Sequence, residues 1–429
     1  MPTSTDQLRP ALATDVPGPR SVELAKRLSE VESPNVTYLA PNAPIFWQRA
    51  QGVNVWDIDG NRFVDLSGAF GVANAGHAHP EIVAAIAAQA AELLHGMGDV
   101  HPSAVKVELL EALCARFPGT GEARALLLSS GSDAVEAALK TALLATGKPG
   151  VIAFEGGYHG LSLGALDATW RSDFRAPFEA RLPKTTGFAR FGDADDVARV
   201  RDELAGRGVE TAAVLVEPVQ GRGGERVPPE GFLRALRERC DEEGWLLIAD
   251  EIYTGFGRTG RWFACEHEAV VPDLLCVGKG LSSGMPIAAC IGRATVMESW
   301  PVSSGEALHT QTFLGHPAGC AAALASLRVL ERERLIERSA EVGRIALEHA
   351  RERLAANKPV SEVRGLGLML GIECRSSEIA RSGCIRALER GYIVLPSGEG
   401  GRVLSLTPPL TIDQDLLLEA IDQLADVLE

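Results

Sequence analysis

The sequence predicts an α/β fold: a large domain whose mainly parallel sheet is covered by helices, accompanied by a smaller α+β domain. Three observations support this. From residue 125 onward, apolar strand-like runs alternate with helical ones, which implies a parallel sheet. Near residue 325 that alternation stops and strands become fewer. The chain has 429 residues, enough for a large core and two domains.

Residues 1–20 are polar and proline-rich and are expected to form a loose arm. Residues 21–28 read as a short helix. Residues 35–45 follow Pro34 and contain Pro41 and Pro44, so they are expected to be extended or looped. The runs 53–58 and 62–66 flank Asp59-Gly60-Asn61 and read as a β-hairpin. A loop of small residues at 71–80 carries two histidines. Helices are expected at 80–94, which is alanine-rich, and at 103–117, where Ser103 is the N-cap.

In the large domain, strands fall at 125–129, 151–154, 212–216, 245–249, 274–277 and 287–291, with helices at 133–146, 194–206 and 230–243. Beyond His316 a helix-forming stretch leads to another at 338–356. Residues 363–373 and 403–406 read as strands, 379–390 and 411–428 as helices.

Charge narrows the function classes. A net charge of −15, from 42 basic and 57 acidic residues, argues against nucleic acid or an anionic membrane as the main partner. The N-terminus lacks a basic segment followed by an apolar core, so no signal peptide is expected. No apolar run approaches the roughly 18 residues of a membrane span. The eight cysteines show no Cys-x-x-Cys spacing, and several lie inside apolar runs. They read as small buried hydrophobes in a reducing, cytoplasmic compartment.

The chemistry is concentrated in residues 245–286. The apolar run Trp245-Leu246-Leu247-Ile248-Ala249 ends in Asp250 and Glu251. A second run, Leu274-Leu275-Cys276-Val277, ends in Gly278-Lys279-Gly280. An acid and a glycine-flanked lysine thus sit where parallel strands end, the place where open α/β sheets bind ligands. A lysine amine that condenses with an aldehyde, and an acid that keeps a pyridine nitrogen protonated, are the groups pyridoxal phosphate (PLP) requires. Either residue alone reads more readily as a solvated side chain at a loop end.

The wording DEIYTGFGRTG followed by PDLLCVGKGLSSGMP resembles the class III, or ornithine/4-aminobutyrate-type, aminotransferases of PLP fold type I. The resemblance covers roughly residue 35 to the C-terminus. It implies that Asp250 partners the pyridine nitrogen, that Ile252 packs on one ring face and that Lys279 carries the cofactor. It also implies that the hairpin at 53–66 joins the C-terminal tail in one small domain. The expected division is an arm and part of the small domain at 1–75, a large PLP-binding domain at 76–324, and the remainder of the small domain at 325–429.

Other motifs follow the same resemblance. Ser129-Ser130-Gly131-Ser132-Asp133-Ala134 links a strand to a helix start, where free N–H groups favour a phosphate. It resembles the family's phosphate cup, which assigns Gly131 and Ser132 to the cofactor phosphate; by itself the stretch reads equally as a helix capped by Ser132. Tyr158-His159-Gly160 matches an aromatic-His-Gly motif that implies a stacking ring at Tyr158, with His159 read as structural. Glu217-Pro218-Val219-Gln220 places Glu217 and Gln220 near the cofactor. Thr310-Gln311-Thr312-Phe313-Leu314-Gly315-His316-Pro317 resembles a motif whose threonine reaches the partner subunit's cofactor. It implies a homodimer with shared sites and a role for Thr312, although Leu314 and His316 replace the usual Gly and Asn. No Gly-x-Gly-x-x-Gly or P-loop pattern supports a nucleotide.

Three positions depart from the family pattern. Ser405 stands where ornithine and 4-aminobutyrate members carry a carboxylate-holding arginine. Arg222 stands where they carry the glutamate that masks it. Tyr253 replaces a glutamine that contacts the ring hydroxyl, and is placed beside the cofactor, where its own hydroxyl could donate. Arg222 and Ser405 are therefore the candidate substrate-binding positions. Arg222 either anchors a substrate carboxylate or pairs with a neighbouring acid such as Glu217 or Glu225. The expected reaction is ping-pong transfer of an amino group from an amine or amino acid to an oxo acid. Racemase, aminomutase or decarboxylase chemistry on the same scaffold and a non-catalytic PLP-fold protein remain the alternatives.

Overall fold

A computed structural model describes residues 7–40 and 44–429. Residues 1–6 of the expected arm and 41–43 of the looped stretch lie outside the described residues. The rest of the arm is not loose. Ala11 and Arg62 exchange backbone hydrogen bonds of 3.0 and 2.8 Å. The amide oxygens of Asn54 and Asn61 accept from the backbone of Leu8 and Ala13. Composition hid this because hairpin residues, not the arm's own, supply the partners.

A helix at Pro19–Val31 is longer than expected and begins with proline, which suits a first turn. Strands β1 (Trp47–Gln51), β2 (Asn54–Asp57) and β3 (Arg62–Asp65) then form an antiparallel ribbon. Val55 pairs with Phe63 across the expected hairpin, and Gly60 takes the left-handed turn position at φ 89°. Helices Pro80–Glu92 and Ala104–Cys114 lead into the main sheet.

That sheet has seven strands: β4 (Ala123–Leu128), β5 (Gly150–Phe154), β6 (Thr186–Ala189), β7 (Thr211–Val216), β8 (Leu246–Asp250), β9 (Leu274–Val277) and β10 (Ala288–Arg293). Their order is β4-β10-β9-β8-β7-β5-β6. Strands β6, β5, β7, β8 and β9 are mutually parallel, whereas β10 is antiparallel to both neighbours. Every residue of β7 and β9 is buried, so these strands read as unbroken apolar runs. Edge strand β6, Thr-Gly-Phe-Ala, gave no such signal. It is held by Asp167, which accepts from the backbone and hydroxyl of Thr186 at 3.1 and 2.9 Å.

Helices Gly131–Thr146, Asp196–Gly206 and Phe232–Glu243 cover the sheet as expected. Helix Pro317–Arg332 runs unbroken through residue 325, where the change of domain was expected. The helical path is interrupted at Arg334, φ 54°, before helix Leu335–Leu354.

The single strand expected at 363–373 is a hairpin, β11 (Val360–Gly365) and β12 (Leu370–Cys374), with Val363 opposite Ile372. Gly367, at φ 58°, makes the turn that the apolar run concealed. Tyr392–Ile393 (β13) runs parallel to β3, so the N-terminal ribbon and the C-terminal tail share a sheet. A third sheet has the order β11-β12-β15-β14, with β14 at Leu395–Ser397 and β15 at Val403–Leu406. Helices Ser377–Glu389 and Gln414–Leu428 complete the chain.

Arg258, fully buried, ties three regions together. It donates to the carbonyls of Leu368 and Pro408 at 2.8 and 2.6 Å and to Asn74 Oδ1 at 2.7 Å. Among the described residues, no helix is long and apolar enough to cross a membrane.

Candidate active site

A cavity of about 510 Å³ opens beside the carboxyl ends of β8 and β9. In the parallel register Asp250 lies opposite Cys276, so Asp250 and the Gly278-Lys279 pair just past β9 are neighbours. Both strands are buried apolar runs, and the first polar groups beyond them are delivered to the same opening. Asp250, Lys279, Gly131, Ser132, Tyr158 and Ile252 all line it. So do Glu217, Tyr253 and Arg222.

Asp250 is buried. Its Oδ2 lies 2.7 Å from His159 Nδ1, and its Oδ1 accepts the Ile252 N–H at 3.1 Å. His159 is also buried and lines the cavity. Burial lowers the imidazole's proton affinity, but the hydrogen bond and charge of Asp250, with Glu217 adding, outweigh it and hold the pKa above the ordinary value. The sequence reading missed His159 as a site residue. The signal available was its place in the middle of the Tyr158-His159-Gly160 motif, facing the acid at the end of β8.

Burial lowers the pKa of Lys279 to about 8; the charges of Asp250 and Glu217 oppose the shift, and Arg222 adds to it. Its Nζ stands 4.3 Å from the centroid of the Tyr253 ring. The Tyr253 hydroxyl is 3.2 Å from Thr407 Oγ1, which is where its hydrogen-bonding capacity goes.

Helix Gly131–Thr146 points its N-terminus at the cavity. Ser130, rather than Ser132, is the N-cap and accepts from the Asp133 N–H at 3.2 Å. The Ser132 hydroxyl is hydrogen-bonded to that of Ser162. A Cβ on Gly131 would come within 2.9 Å of Ile252 Cγ2, so only glycine lets the helix start sit against that side chain. Unpartnered N–H groups in this first turn and the helix dipole suit a phosphate.

Glu217 is buried, with Oε1 accepting the Tyr158 N–H at 2.9 Å and Oε2 the Gly221 N–H at 3.0 Å. Burial raises its pKa to about 6; the Asp250 charge adds to this, while His159 and the two N–H groups oppose it. The Arg222 guanidinium stacks 4.9 Å from the Tyr158 ring centroid and 5.6 Å from that of Phe174. Glu217 is committed to backbone donors, and Glu225 to Ser397 Oγ and Ser405 Oγ at 2.6 Å each, so neither acid claims Arg222.

Gln220 and Ser405 are not brought to the cavity, and Thr312, expected at the partner subunit's site, lies apart from this one. Gln220 Nε2 donates to the Glu155 carbonyl at 2.8 Å, and the Gln220 backbone pairs with Arg226, which turns the side chain away. Ser405 is buried against Glu225. Thr312 is exposed on a separate surface loop.

Fold and cavity together define a PLP enzyme of fold type I. The sequence pattern of the family "Aminotransferase class-III" matches residues 37–428. A 4-aminobutyrate aminotransferase of Mycobacterium leprae is 38% identical, over 99% of each chain. An acetylornithine aminotransferase of Methanopyrus kandleri is 40% identical over 90% of this chain and 94% of its own. The PLP-bound crystal structure of an amine transaminase from an uncultivated Pseudomonas species superposes with a TM-score of 0.83. It is 30% identical, with 92% of this chain and 98% of that chain covered. The chain belongs to the class-III aminotransferases. It is a PLP-dependent enzyme of transamination.

The cavity fits that cofactor: a helix N-terminus for the phosphate, a buried acid for the ring nitrogen, and an amine of lowered basicity for the aldehyde.

Proposed function

We propose that the chain carries an amino group from an amine or amino-acid donor to an oxo acid, with Lys279 as its reacting residue and Asp250 as the partner of the ring nitrogen. The observation that carries this reading is the convergence of both residues, from adjacent strand ends, on one cavity with a helix N-terminus. When bound, PLP supplies an electron sink for the substrate carbon that loses its proton. Lys279, its basicity lowered by burial, has a neutral fraction near neutral pH. Its Nζ takes the proton from the amine-bearing carbon and later returns one. Asp250, oriented by His159, holds negative charge where a protonated ring nitrogen needs it. Gly131 and Ser132 supply backbone donors for the phosphate, and Tyr158 and Ile252 flank the ring. Arg222, stacked on two aromatic rings and free of Glu217 and Glu225, anchors the carboxylate of the oxo acid or amino acid.

We further infer a homodimer in which Thr312 of the partner subunit completes the cofactor site; its exposure, and that of neighbouring Phe313, supports this. The domain division is proposed to fall at Arg334, where the helical path is interrupted. Eight free cysteines, six of them buried, support a reducing, cytoplasmic setting.

The test is spectroscopic. Purified protein should show the visible absorbance of bound PLP, lose it on addition of an amine donor and regain it with an oxo acid. Lys279→Ala should abolish both the cycle and turnover. Near-full turnover in that variant would overturn the assignment.

A further inference from the structure

The Tyr253 side of the cavity has a layered construction. The ring is clamped between two backbones: a Cβ on Gly71 would come within 2.9 Å of its Cε2, and one on Gly221 within 2.5 Å of its Cδ1. Behind it lies Glu225, 1% exposed, whose two carboxylate oxygens accept from Ser397 Oγ and Ser405 Oγ at 2.6 Å each. The nearby Arg364 makes no ion pair with it, although its charge favours the ionised acid. Arg364 Nε donates to the Gly224 carbonyl at 2.8 Å, and its Nη1 pairs with Glu362 and Glu373 at 2.5 and 2.6 Å. Glu225 also holds a left-handed backbone, φ 49°, a conformation unfavourable for a non-glycine residue. Burial raises the Tyr253 phenol pKa, and the Glu225 charge raises it further, so the acid is felt at the cavity wall.

Among the described residues lining the cavity, the Lys and Arg side chains are Lys279 and Arg222. Lys279 is occupied by the chemistry, which leaves Arg222 for one carboxylate. A second carboxylate turned toward Tyr253 meets the face of an aromatic ring, whose electrons repel anions, with a buried acid behind it. Ser397 and Ser405, buried behind the wall, give their hydroxyls to Glu225 and offer no donor to such a carboxylate.

We propose that this site selects oxo acids carrying one carboxylate over those carrying two, with Tyr253 and the Glu225 carboxylate behind it as the discriminating wall. The inference rests on the transaminase reading with Arg222 as anchor. Tyr253 and Glu225 act here on specificity, through a repulsive surface rather than an added attraction.

The experiment uses the PLP-loaded enzyme at about pH 8, above the value near 7 to which burial raises Glu225. With one fixed amine donor, kcat/KM is compared for pyruvate and 2-oxoglutarate. In parallel, the unreactive analogues butanoate and glutarate are titrated against the visible absorbance of the bound cofactor. Pyruvate is expected to be favoured by about tenfold or more, and butanoate to bind more tightly than glutarate. Glu225→Gln should narrow both ratios by about three- to tenfold, by improving the dicarboxylates. If Glu225→Gln does not fold, the wild-type binding ratio decides alone. Equal or better use of 2-oxoglutarate by the wild type, or unchanged ratios in folded Glu225→Gln, overturns the inference and leaves transamination standing. Failure to turn over with every acceptor removes the transaminase reading, and this inference with it.

Discussion

His159 Nδ1 stands 2.7 Å from Asp250 Oδ2, with both side chains buried and lining the cavity. The pair orients the carboxylate: with one oxygen on the imidazole and the other on the Ile252 N–H, Asp250 has a single direction in which to present its charge. His159→Phe removes one charge-assisted bond from a buried acid, a loss of about 1.5–3 kcal/mol, or roughly ten- to a hundredfold. The expected result is weaker PLP binding and a lower kcat by that factor, with KM for the acceptor little changed. Equal loss in KM alone would show that the histidine only shapes the substrate pocket.

Asp250→Asn keeps the shape and removes the charge. It should still take up PLP but lose several orders of magnitude in rate, because the ring nitrogen is no longer held protonated. Wild-type-like rates would mean that another residue supports that nitrogen.

Lys279 sets a pH dependence that can be read before any substrate is added. Only the neutral amine attacks an aldehyde, and burial lowers the pKa of Lys279 to about 8. The neutral fraction grows as pH rises, so the rate at which apoprotein captures PLP should climb nearly tenfold per pH unit well below 8 and level off above it. Stopped-flow absorbance measures this. A midpoint near the ordinary lysine value of 10.5 would show that burial does not act on the amine.

How far the site could be read in advance depended on where each residue's partners lie. Residues 245–249 and 274–277 were legible because strands covered on both faces must be apolar throughout, and their ends then stand out as Asp250 and Lys279. Gly131 was assigned through the likeness of its stretch to the family's phosphate cup, because a strand followed by a helix start reads equally as an ordinary N-cap. Residues whose role is set by something distant in sequence were not. Asp250, 91 positions from His159, makes that histidine more than structural, and Glu225 meets its serines 172 and 180 positions away. Gln220 failed for the converse reason: a local pairing with Arg226 and a bond to Glu155 rotate it off the cavity, although its motif is intact. The turn at Gly367 and the arm docked on Asn54 and Asn61 were missed because apolar content and proline content, respectively, outweighed single turn and amide residues.

Arg222 gives a prediction that separates substrate classes. Its guanidinium faces the cavity against Tyr158 and Phe174, and the nearby acids are bonded elsewhere. Arg222→Ala should raise KM for carboxylate substrates by about ten- to a hundredfold, the worth of one charge-assisted contact. Amine donors without a carboxylate should be nearly unaffected in their own half-reaction. An equal change for both kinds of substrate places the anchor elsewhere.

Glu225 provides a stability test independent of catalysis. Burial raises its pKa from 4.5 to about 7, opposed by the two serine hydroxyls and by Arg364, with the charge of Glu217 a smaller raising influence. A carboxyl whose folded pKa is raised binds its proton more tightly in the fold than in the unfolded chain. Below the unfolded value of 4.5 both states are protonated and there is no penalty. As pH climbs from there to about 7, the unfolded chain ionises while the fold holds its proton, so folded stability falls; above 7 the penalty is constant. Two and a half pH units correspond to roughly 3 kcal/mol. Glu217, raised to about 6, acts in the same direction, so the wild-type slope contains both groups and only a variant isolates one. Glu225→Gln preserves the size of the side chain and cannot ionise. Relative to wild type it should therefore gain roughly 3 kcal/mol of stability between about pH 5 and 8, measured by urea unfolding at each pH. Parallel wild-type and variant curves across that range would show that Glu225 ionises in the fold as easily as in the open chain, and that the wall behind Tyr253 is better compensated than its hydrogen bonds indicate.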